Sequence, residues 1–254
     1  MTLYFIGLGL DDEKDITVKG MEAIKNSDKV YLECYTSMLN IEIEKLENFY
    51  GKRIILADRE LVEKEAENTI LKDAEKSNVA FLVVGDVFGA TTHTDIFLRA
   101  KEKGIDCKVF HNTSIINAVS ETGLELYKFG KTTSLPFPTE SYNPTTAYDV
   151  ITANKKNKMH TLVLLDIKSD EKRYMAVNQA IEILLDSENK KRKGIIKGST
   201  LIVGCARIGS SNQTIFYGTA SDLVEKDFGK PLHCLIVPSE LHFIEEEMLN
   251  QFKI

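Results

Sequence analysis

Short apolar runs rich in β-branched residues alternate along the first half of the chain with longer segments of helical periodicity. Runs of the first kind predict β-strands, and segments of the second kind predict amphipathic helices. The predicted strands are residues 3–6, 30–33, 53–56, 79–84 and 107–110. The predicted helices are residues 17–26, 41–49, 62–75 and 95–103. This alternation predicts an α/β fold with mostly parallel strands covered by helices on both faces.

A second series of elements begins after His111-Asn112-Thr113-Ser114, where the fifth strand has ended. We therefore predict an N-terminal α/β domain over residues 1–112 and a C-terminal α/β domain over residues 113–254. The later elements predicted are helices at 115–121 and 176–188, strands at 161–166, 200–206, 213–217 and 234–238, and loops at 132–144 and 188–198. The proline-containing stretch and the polar, lysine-rich stretch are the reasons for the two loops.

Composition narrows the class of protein. Of the 254 residues, 43% are hydrophobic and 28% charged, as in ordinary globular proteins. There are 32 Lys and Arg against 38 Asp and Glu, so the net charge of -6 argues against general nucleic-acid binding. The apolar start ends at Gly7, too early for a signal peptide or a membrane span. We expect a cytoplasmic protein with no membrane association.

The sequence lacks the common motifs of metal sites, of phosphate-binding loops and of serine nucleophiles. The four cysteines lack the CxxC spacing of zinc and redox sites, and the five histidines lack the HExxH spacing. We therefore expect no metal. The Walker pattern of nucleotide hydrolases and the GxSxG pattern of serine nucleophiles are also absent from the sequence.

The first predicted strand runs into a glycine pair, Gly7-Leu8-Gly9, followed by acidic residues. In a dinucleotide fingerprint a third glycine would stand at the position of Asp12, and the neighbouring carboxylates would repel a pyrophosphate. A cofactor that lacks phosphate, such as S-adenosylmethionine with its positive sulfonium, is compatible with this turn. A simple tight turn without a ligand is the alternative interpretation.

Two further positions combine a strand end with a polar side chain. Asp86 follows the fully apolar strand at 79–84, where ligands gather in parallel sheets. It can accept hydrogen bonds from a ligand, or it can cap the following turn. Ser114 can likewise contact a ligand, although its position before a predicted helix favours an N-cap.

Several motifs together resemble the diphthine synthase family over essentially the whole chain. In the first half they are Gly7 to Thr17, Gly85-Asp86, Ala90-Thr91-Thr92-His93-Thr94 and Asn112-Thr113-Ser114-Ile115. In the second half they are Pro136-Phe137-Pro138, Ser141-Tyr142, Thr161 to Ile167, Ala206-Arg207-Ile208-Gly209-Ser210, Lys230-Pro231-Leu232-His233 and Leu241 to Glu245. The sequence departs from patterns common in such proteins at Val87-Phe88 and at Ile208.

The resemblance implies a tetrapyrrole-methylase-like fold, with two α/β domains, S-adenosylmethionine bound in a cleft between them, and a homodimer. It implies methylation, with trimethylation expected, of the amino group of the 3-amino-3-carboxypropyl arm on a histidine of translation elongation factor 2. S-adenosylhomocysteine is the implied second product. The cofactor contacts implied by matched motifs are Leu10, Asp86, Gly89, Ser114, Ile115, Leu165, Ile208 and His233.

Other interpretations remain open from the sequence. A methylase of the same fold acting on a tetrapyrrole would use the same cofactor site, and a non-catalytic sensor would bind an adenosine ligand without turnover. No general base is identified, although Asp86 and His233 are the titratable residues nearest the implied cofactor. The basic segment Lys190-Lys191-Arg192-Lys193 indicates a solvated loop or, alternatively, a contact with an acidic partner.

Overall fold

The chain is divided into two units, Met1–Ile116 and Asn117–Ile254. The computed structural model describes residues 1–39, 41–140 and 144–254. The motif at Ser141-Tyr142 lies outside the described residues. Within these ranges, no helix has the length and apolar character that crossing a membrane requires.

A parallel β-sheet forms the centre of the N-terminal unit. Its strands are β1 (Thr2–Gly7), β2 (Lys29–Glu33), β3 (Ile54–Ala57), β4 (Val79–Val83) and β5 (Asp106–Phe110). They lie in the order β3-β2-β4-β1-β5, and every neighbouring pair is parallel. The predicted strands are confirmed to within one residue at each end, because each contains a short segment of apolar residues.

The central strand β4 shows how both faces of this sheet are covered. All five of its residues are buried. Phe81 packs in one apolar cluster with Leu3 and Phe5, whereas the neighbouring Leu82 packs in a second cluster with Ile6. Because successive strand residues point to opposite faces, the two clusters lie on opposite sides of the sheet. The uninterrupted apolar sequence of β4 follows from this double burial.

Helices connect the strands of the N-terminal unit. They are α1 (Val18–Lys25), α2 (Ile43–Tyr50), α3 (Arg59–Glu63), α4 (Ile70–Ala74) and α5 (Thr94–Glu102), and α6 (Ile115–Ala118) contains the division between the units. The prediction of one helix over residues 62–75 is wrong. Asp58 caps α3 by accepting from Leu61 N, and Thr69 leaves helical geometry at φ -123° and ψ -96° before α4 begins. A 3-10 turn at Ala66–Asn68 lies between them.

A mixed sheet forms the centre of the C-terminal unit. Its strands are β6 (Thr133–Leu135), β7 (Thr161–Leu165), β10 (Leu201–Ala206), β11 (Thr214–Thr219) and β12 (His233–Val237), and β8 (Ile167–Lys168) pairs separately with β9 (Arg173–Tyr174). The order is β11-β10-β12-β7-β6, with only the β6–β7 pair parallel among these described strands. The expectation of mostly parallel strands is therefore wrong here. The seven residues between β10 and β11 are too few for a parallel crossover.

The helices of this unit are α7 (Thr146–Lys156), α8 (Val177–Lys191), α9 (Ala220–Val224) and α10 (Phe243–Leu249). The predicted loop at 188–198 is wrong at its start, because α8 continues to Lys191. The Lys191 and Lys193 ammonium groups both pair with Asp149 of α7. The predicted loop at 132–144 is likewise wrong at residues 133–135, where β6 pairs with β7.

Candidate functional site

The carboxyl ends of β1, β4 and β5 bring several implied cofactor contacts to one edge of the N-terminal sheet. The Gly9 N–H donates to the Gly85 carbonyl at 3.2 Å, and the Gly85 N–H donates to the Gly9 carbonyl at 2.7 Å. These reciprocal bonds fix the turn after β1 against the turn after β4. Both glycines have positive φ, +81° and +79°, which a side chain would make strained. Glycine is therefore required by the backbone at both Gly9 and Gly85.

Asp86 joins the turn after β4 to the segment after β5. Its Oδ1 accepts from the Phe88 N–H at 3.0 Å, and its Oδ2 accepts from the Asn112 N–H at 3.0 Å and from Nδ1 of His111 at 2.8 Å. Burial raises the pKa of Asp86, but these hydrogen bonds outweigh it and lower the pKa below the ordinary value. Asp86 is ionised at neutral pH, and it stabilises the turn as the capping interpretation predicts.

Gly89 and Ser114 approach each other closely at the same edge. A Cβ added at Gly89 would lie 2.7 Å from Ser114 Oγ and 3.2 Å from the Asp86 Cβ. The Ser114 hydroxyl accepts from the Ile116 N–H at 3.1 Å at the start of α6, which confirms the capping interpretation. Leu10 is close as well, because its side chain lies 3.7 Å from a Cβ built at Gly85. The structure thus brings Leu10, Asp86, Gly89 and Ser114 together, with Ile115 next in the chain.

Asn112 and Asp15 hold this arrangement, and neither was among the predicted contacts. The Asn112 amide donates to the Gly7 carbonyl at 3.0 Å and to the Asp15 carbonyl at 2.9 Å. The Asp15 carboxylate in turn accepts from the N–H groups of Leu10 and Asp11 at 3.1 and 2.8 Å. These bonds shape the turn that presents Leu10. Their only sequence signals are a polar residue after a strand and an acidic residue five positions after Leu10.

The acidic residues after the glycine pair also have partners within the fold. Asp12 Oδ1 accepts from the Lys14 N–H at 2.8 Å, and the buried Glu13 carboxylate pairs with Lys45 at 3.0 Å. The acidity that disfavours a pyrophosphate therefore serves to close this turn. A phosphate-free cofactor remains compatible with the site.

The remaining implied contacts lie in the C-terminal unit at the ends of adjacent strands. Leu165 ends β7, and His233 begins β12 opposite Ala206, the last residue of β10. Ile208 is buried two residues after β10. The Arg207 N–H donates to the Leu232 carbonyl at 2.8 Å, which ties the segment with Ile208 to the segment preceding His233. The three residues therefore lie on or directly after the neighbouring strands β7, β12 and β10.

Arg207 organises the loop before His233 and was not predicted to have a role. Its guanidinium donates to the carbonyls of Phe228, Lys230 and Asn212 and to Thr214 Oγ1. A planar guanidinium can make several such bonds at once, because its donors form a fixed fork. Arg207 thus connects the residues around 228–230 with the turn after β10.

His233 has one ring nitrogen engaged and one available. Its Nε2–H donates to the Lys230 carbonyl at 3.0 Å, which leaves Nδ1 as the acceptor. Nδ1 is buried and has no hydrogen-bond partner among the described residues. Burial lowers the pKa of His233, so the ring is neutral at pH 7. A ligand N–H or O–H at this position would satisfy Nδ1, as expected of a residue that holds a cofactor.

The structure also describes the surroundings of the candidate metal ligands, of two cysteines and of the basic segment at 190–193. No cluster of three or more His, Cys, Asp or Glu side chains suited to a metal ion occurs in the described part of the chain. Cys205 and Cys234 are buried and stand opposite each other in the β10–β12 pair as free thiols. Lys191 and Lys193 pair with Asp149, as described above, so part of the basic segment is already neutralised inside this unit.

The chain is similar to known proteins over nearly its whole length. A family model described as tetrapyrrole (corrin/porphyrin) methylases matches residues 2–224. Proteins named diphthine methyl ester synthase from Dictyostelium discoideum and Homo sapiens are each 49% identical, covering 100% and 99% of this chain and 99% and 95% of their own lengths.

Solved structures agree with these relatives. A crystal structure described as diphthine synthase has a TM-score of 0.90 and 37% identity, covering 100% of this chain and 96% of its own. A structure from Entamoeba histolytica, assigned to the same kind of enzyme, has a TM-score of 0.93 and 49% identity, covering 100% of this chain and 98% of its own. The chain therefore belongs to the tetrapyrrole methylase family, within its diphthine synthase group, and is a methyltransferase that uses S-adenosylmethionine.

Proposed function

We propose that this enzyme methylates the 3-amino-3-carboxypropyl arm carried by a histidine of translation elongation factor 2. The amino group receives three methyl groups, and the carboxylate receives one more, so that the product is diphthine methyl ester. The observation that carries this proposal is the 49% identity to proteins named diphthine methyl ester synthase over the full chain. The carboxylate methyl group goes beyond the trimethylation expected from the sequence.

The residues at the carboxyl edge of the N-terminal sheet fit the proposed cofactor. Asp86 Oδ1 accepts one hydrogen bond from within the described residues and keeps a lone pair for a hydroxyl or amino group of the ligand. Gly89 packs so closely against Ser114 and Asp86 that a side chain at this position would clash with both. In the C-terminal unit, His233 Nδ1 supplies a second acceptor without a partner among the described residues. The bound cofactor supplies an electrophilic methyl group on a positively charged sulfur.

Positioning is the main contribution that the protein makes to this chemistry. A carboxylate is already nucleophilic at neutral pH, and an amino group with an ordinary pKa of about 8 needs only to lose a proton. Holding the reacting atoms in a near-attack geometry can contribute roughly 7–11 kcal/mol. The turns that contain Asp86, Asn112 and Asp15 are suited to this task because the side chains of these residues hydrogen-bond to backbone groups at the same sheet edge.

Mass spectrometry of the arm-bearing elongation factor, after incubation with enzyme and S-adenosylmethionine, tests the proposal. We expect a product that carries four added methyl groups. Mild alkali hydrolyses a methyl ester but not a methylammonium, so exactly one of the four should be lost on this treatment. A product with only three added methyl groups, all of them stable to alkali, would overturn the ester. A product with fewer than three stable groups at completion would overturn trimethylation.

Two rival activities predict different results in the same reaction. A tetrapyrrole methylase of this fold would leave the elongation factor unchanged and methylate a precorrin. A sensor would bind S-adenosylmethionine and methylate neither. We also propose that the enzyme acts in the cytoplasm as a homodimer. Sedimentation of the purified chain at micromolar concentration tests the homodimer directly.

A further inference from the structure

A pocket of about 250 Å³ lies at the carboxyl edge of the N-terminal sheet, beside β2 and β4. Its lining residues are Tyr35, Val62, Glu63, Thr92, His93, Asp95 and Ile96. None of these residues belongs to the implied cofactor contacts. The pocket shares the segment between Asp86 and His93 with those contacts, and Thr91 Oγ1 donates to the Val87 carbonyl within it at 2.6 Å. Pocket and cofactor residues therefore occupy the same sheet edge, where ligands of parallel sheets gather.

His93 is the most unusual side chain of the pocket. It is 1% exposed, and neither of its ring nitrogens has a hydrogen-bond partner among the described residues. Its ring packs edge to face on Phe81 at 5.3 Å and on Tyr35 at 6.1 Å between ring centroids. A buried imidazole without partners is destabilising relative to a hydrogen-bonded one, because its nitrogens give up their bonds to water and gain none within the protein. An apolar ring of similar shape would pack here without that cost, so a structural role does not explain a histidine.

The Glu33 carboxylate gives the imidazole of His93 a preferred orientation. Glu33 is buried, and its oxygens accept from the N–H groups of Tyr35 and Thr36 and from Thr36 Oγ1. Glu33 Oε2 lies 3.7 Å from His93 Nε2. A carboxylate at this position favours the tautomer with the proton on Nε2, which leaves the lone pair of Nδ1 available. Such a nitrogen accepts a hydrogen bond from an N–H group.

The charged groups around the pocket favour a cation over an anion. Glu63 and Asp95 lie at its exposed rim, and Glu33 lies behind His93. Arg59 lies over the Tyr35 ring and pairs with Glu63 at 3.9 Å, and Arg99 pairs with Asp95 at 3.0 Å. The two arginines balance the two rim carboxylates, so the net negative charge beside the pocket comes from Glu33. Burial is the main cause that raises the pKa of Tyr35 to about 12, so its hydroxyl is protonated at neutral pH.

We propose that this pocket binds the amino group of the methyl acceptor and that Nδ1 of His93 takes its proton, an inference that rests on the proposed function. The ammonium proton moves to His93 Nδ1. The nitrogen lone pair then forms the new N–C bond as the C–S bond of the sulfonium breaks, with its electron pair left on sulfur. His93 loses the proton to solvent before the next transfer. Methylation of the carboxylate releases no proton and needs no such step.

His93→Phe separates this role from a structural one. The phenyl ring keeps the packing on Phe81 and Tyr35, so the melting temperature should stay the same or rise. Affinity for S-adenosylmethionine, measured by calorimetry, should stay within about twofold. Affinity for the arm-bearing elongation factor in the absence of cofactor should fall, because the acceptor nitrogen loses its partner. His160→Phe is the matched contrast, since that buried histidine bonds to Glu245 and Ser239 and its loss should lower the melting temperature.

Product analysis gives a second measurement, in which a purely structural role of His93 would not change the ratio of nitrogen methylation to ester formation. With saturating acceptor, His93→Phe should slow nitrogen methylation about 100-fold, the ordinary contribution of a general base, while ester formation slows much less. Arms that carry a methyl ester but an incompletely methylated nitrogen should then accumulate. Added imidazole should restore nitrogen methylation to His93→Ala, where the ring has been removed.

Two results would overturn this assignment. One is nitrogen methylation by His93→Phe at the wild-type rate with unchanged acceptor affinity. The other is a parallel fall of nitrogen methylation, ester formation and cofactor affinity together with the melting temperature, which would make His93 structural. If the wild-type enzyme itself leaves the arm unmethylated, the proposed function fails, and that result is distinct from both.

Discussion

The carboxylate of Asp86 accepts a hydrogen bond from the backbone N–H of Asn112 at 3.0 Å, and this bond links the turn after β4 to the segment after β5. The same carboxylate accepts from the Phe88 N–H within its own turn. Asp86 therefore has a structural role in addition to its proposed contact with the cofactor. Its substitution should affect stability and binding together.

Replacing Asp86 by Asn tests this double role. The amide places an NH2 group against one of the backbone donors, so the free energy of unfolding should fall by about 1–3 kcal/mol. The dissociation constant for S-adenosylmethionine should rise at least about tenfold, the effect of losing one charged hydrogen bond of roughly 1.4 kcal/mol or more. Urea unfolding and calorimetric titration measure the two quantities. His111→Ala is the control for stability: it removes only an exposed partner of Asp86 and should cost under about 1 kcal/mol. Unchanged stability and affinity in Asp86→Asn would contradict both roles.

A methyl group at Gly89 should disturb the same turn. The added Cβ would meet the Ser114 hydroxyl at 2.7 Å, so Gly89→Ala should lower the free energy of unfolding by about 1–3 kcal/mol. Removing the opposing side chain with Ser114→Gly in the Gly89→Ala background should restore part of this loss. Thermal unfolding of the wild type, both single variants and the double variant, followed by circular dichroism, gives the coupling between the two positions. Purely additive effects would show that the two positions do not interact.

The carboxylate of Glu245 should make the stability of the C-terminal unit depend on pH. Its fully buried carboxylate accepts from the N–H groups of Glu125 and His242, from Lys128 and from Nε2 of His160. Burial raises the pKa of Glu245, but these partners lower it from 4.5 to about 2. Because the folded-state pKa lies below the unfolded one, the stabilisation is complete above about pH 4.5 and is lost as the pH falls toward 2.

Glu245→Gln measures this contribution. The wild-type protein should lose about 3 kcal/mol through this group over that interval, and the variant should show a flatter acid limb. At pH 7 the variant should be the less stable protein, because Lys128 loses its charged partner. Urea unfolding at several pH values gives both curves. Identical acid limbs in the two proteins would mean that Glu245 does not titrate as the network requires.

The sequence predicted the N-terminal sheet well because each of its strands contains a short apolar segment, even where a charged residue such as Lys108 in β5 interrupts it. β4 is the clearest case, since a strand covered on both faces needs apolar residues at every position. β6 was missed because it is three residues long and directly precedes a proline-containing stretch. The break between α3 and α4 was missed because the apolar periodicity continues across Thr69, where the backbone leaves helical geometry.

The site was predictable where a side chain follows a strand end, as at Asp86. The supporting residues were not, because their partners are backbone groups far away in the sequence. Asn112 bonds to carbonyls 105 and 97 positions earlier, and such contacts leave no periodic signal. Arg207 is similar, since its guanidinium reaches the Phe228 carbonyl 21 positions later. His93 appeared in a motif, but only its burial without partners indicates a role.

Transfer of a labelled methyl group tests the central claim most directly. The purified enzyme would be incubated with S-adenosylmethionine labelled in its methyl group and with elongation factor 2 that either carries or lacks the aminocarboxypropyl arm. We predict that label enters the arm-bearing factor alone and is located by peptide mapping on the modified histidine. Label in neither factor, with S-adenosylmethionine binding confirmed by calorimetry, or equal label in both, would contradict the proposed substrate.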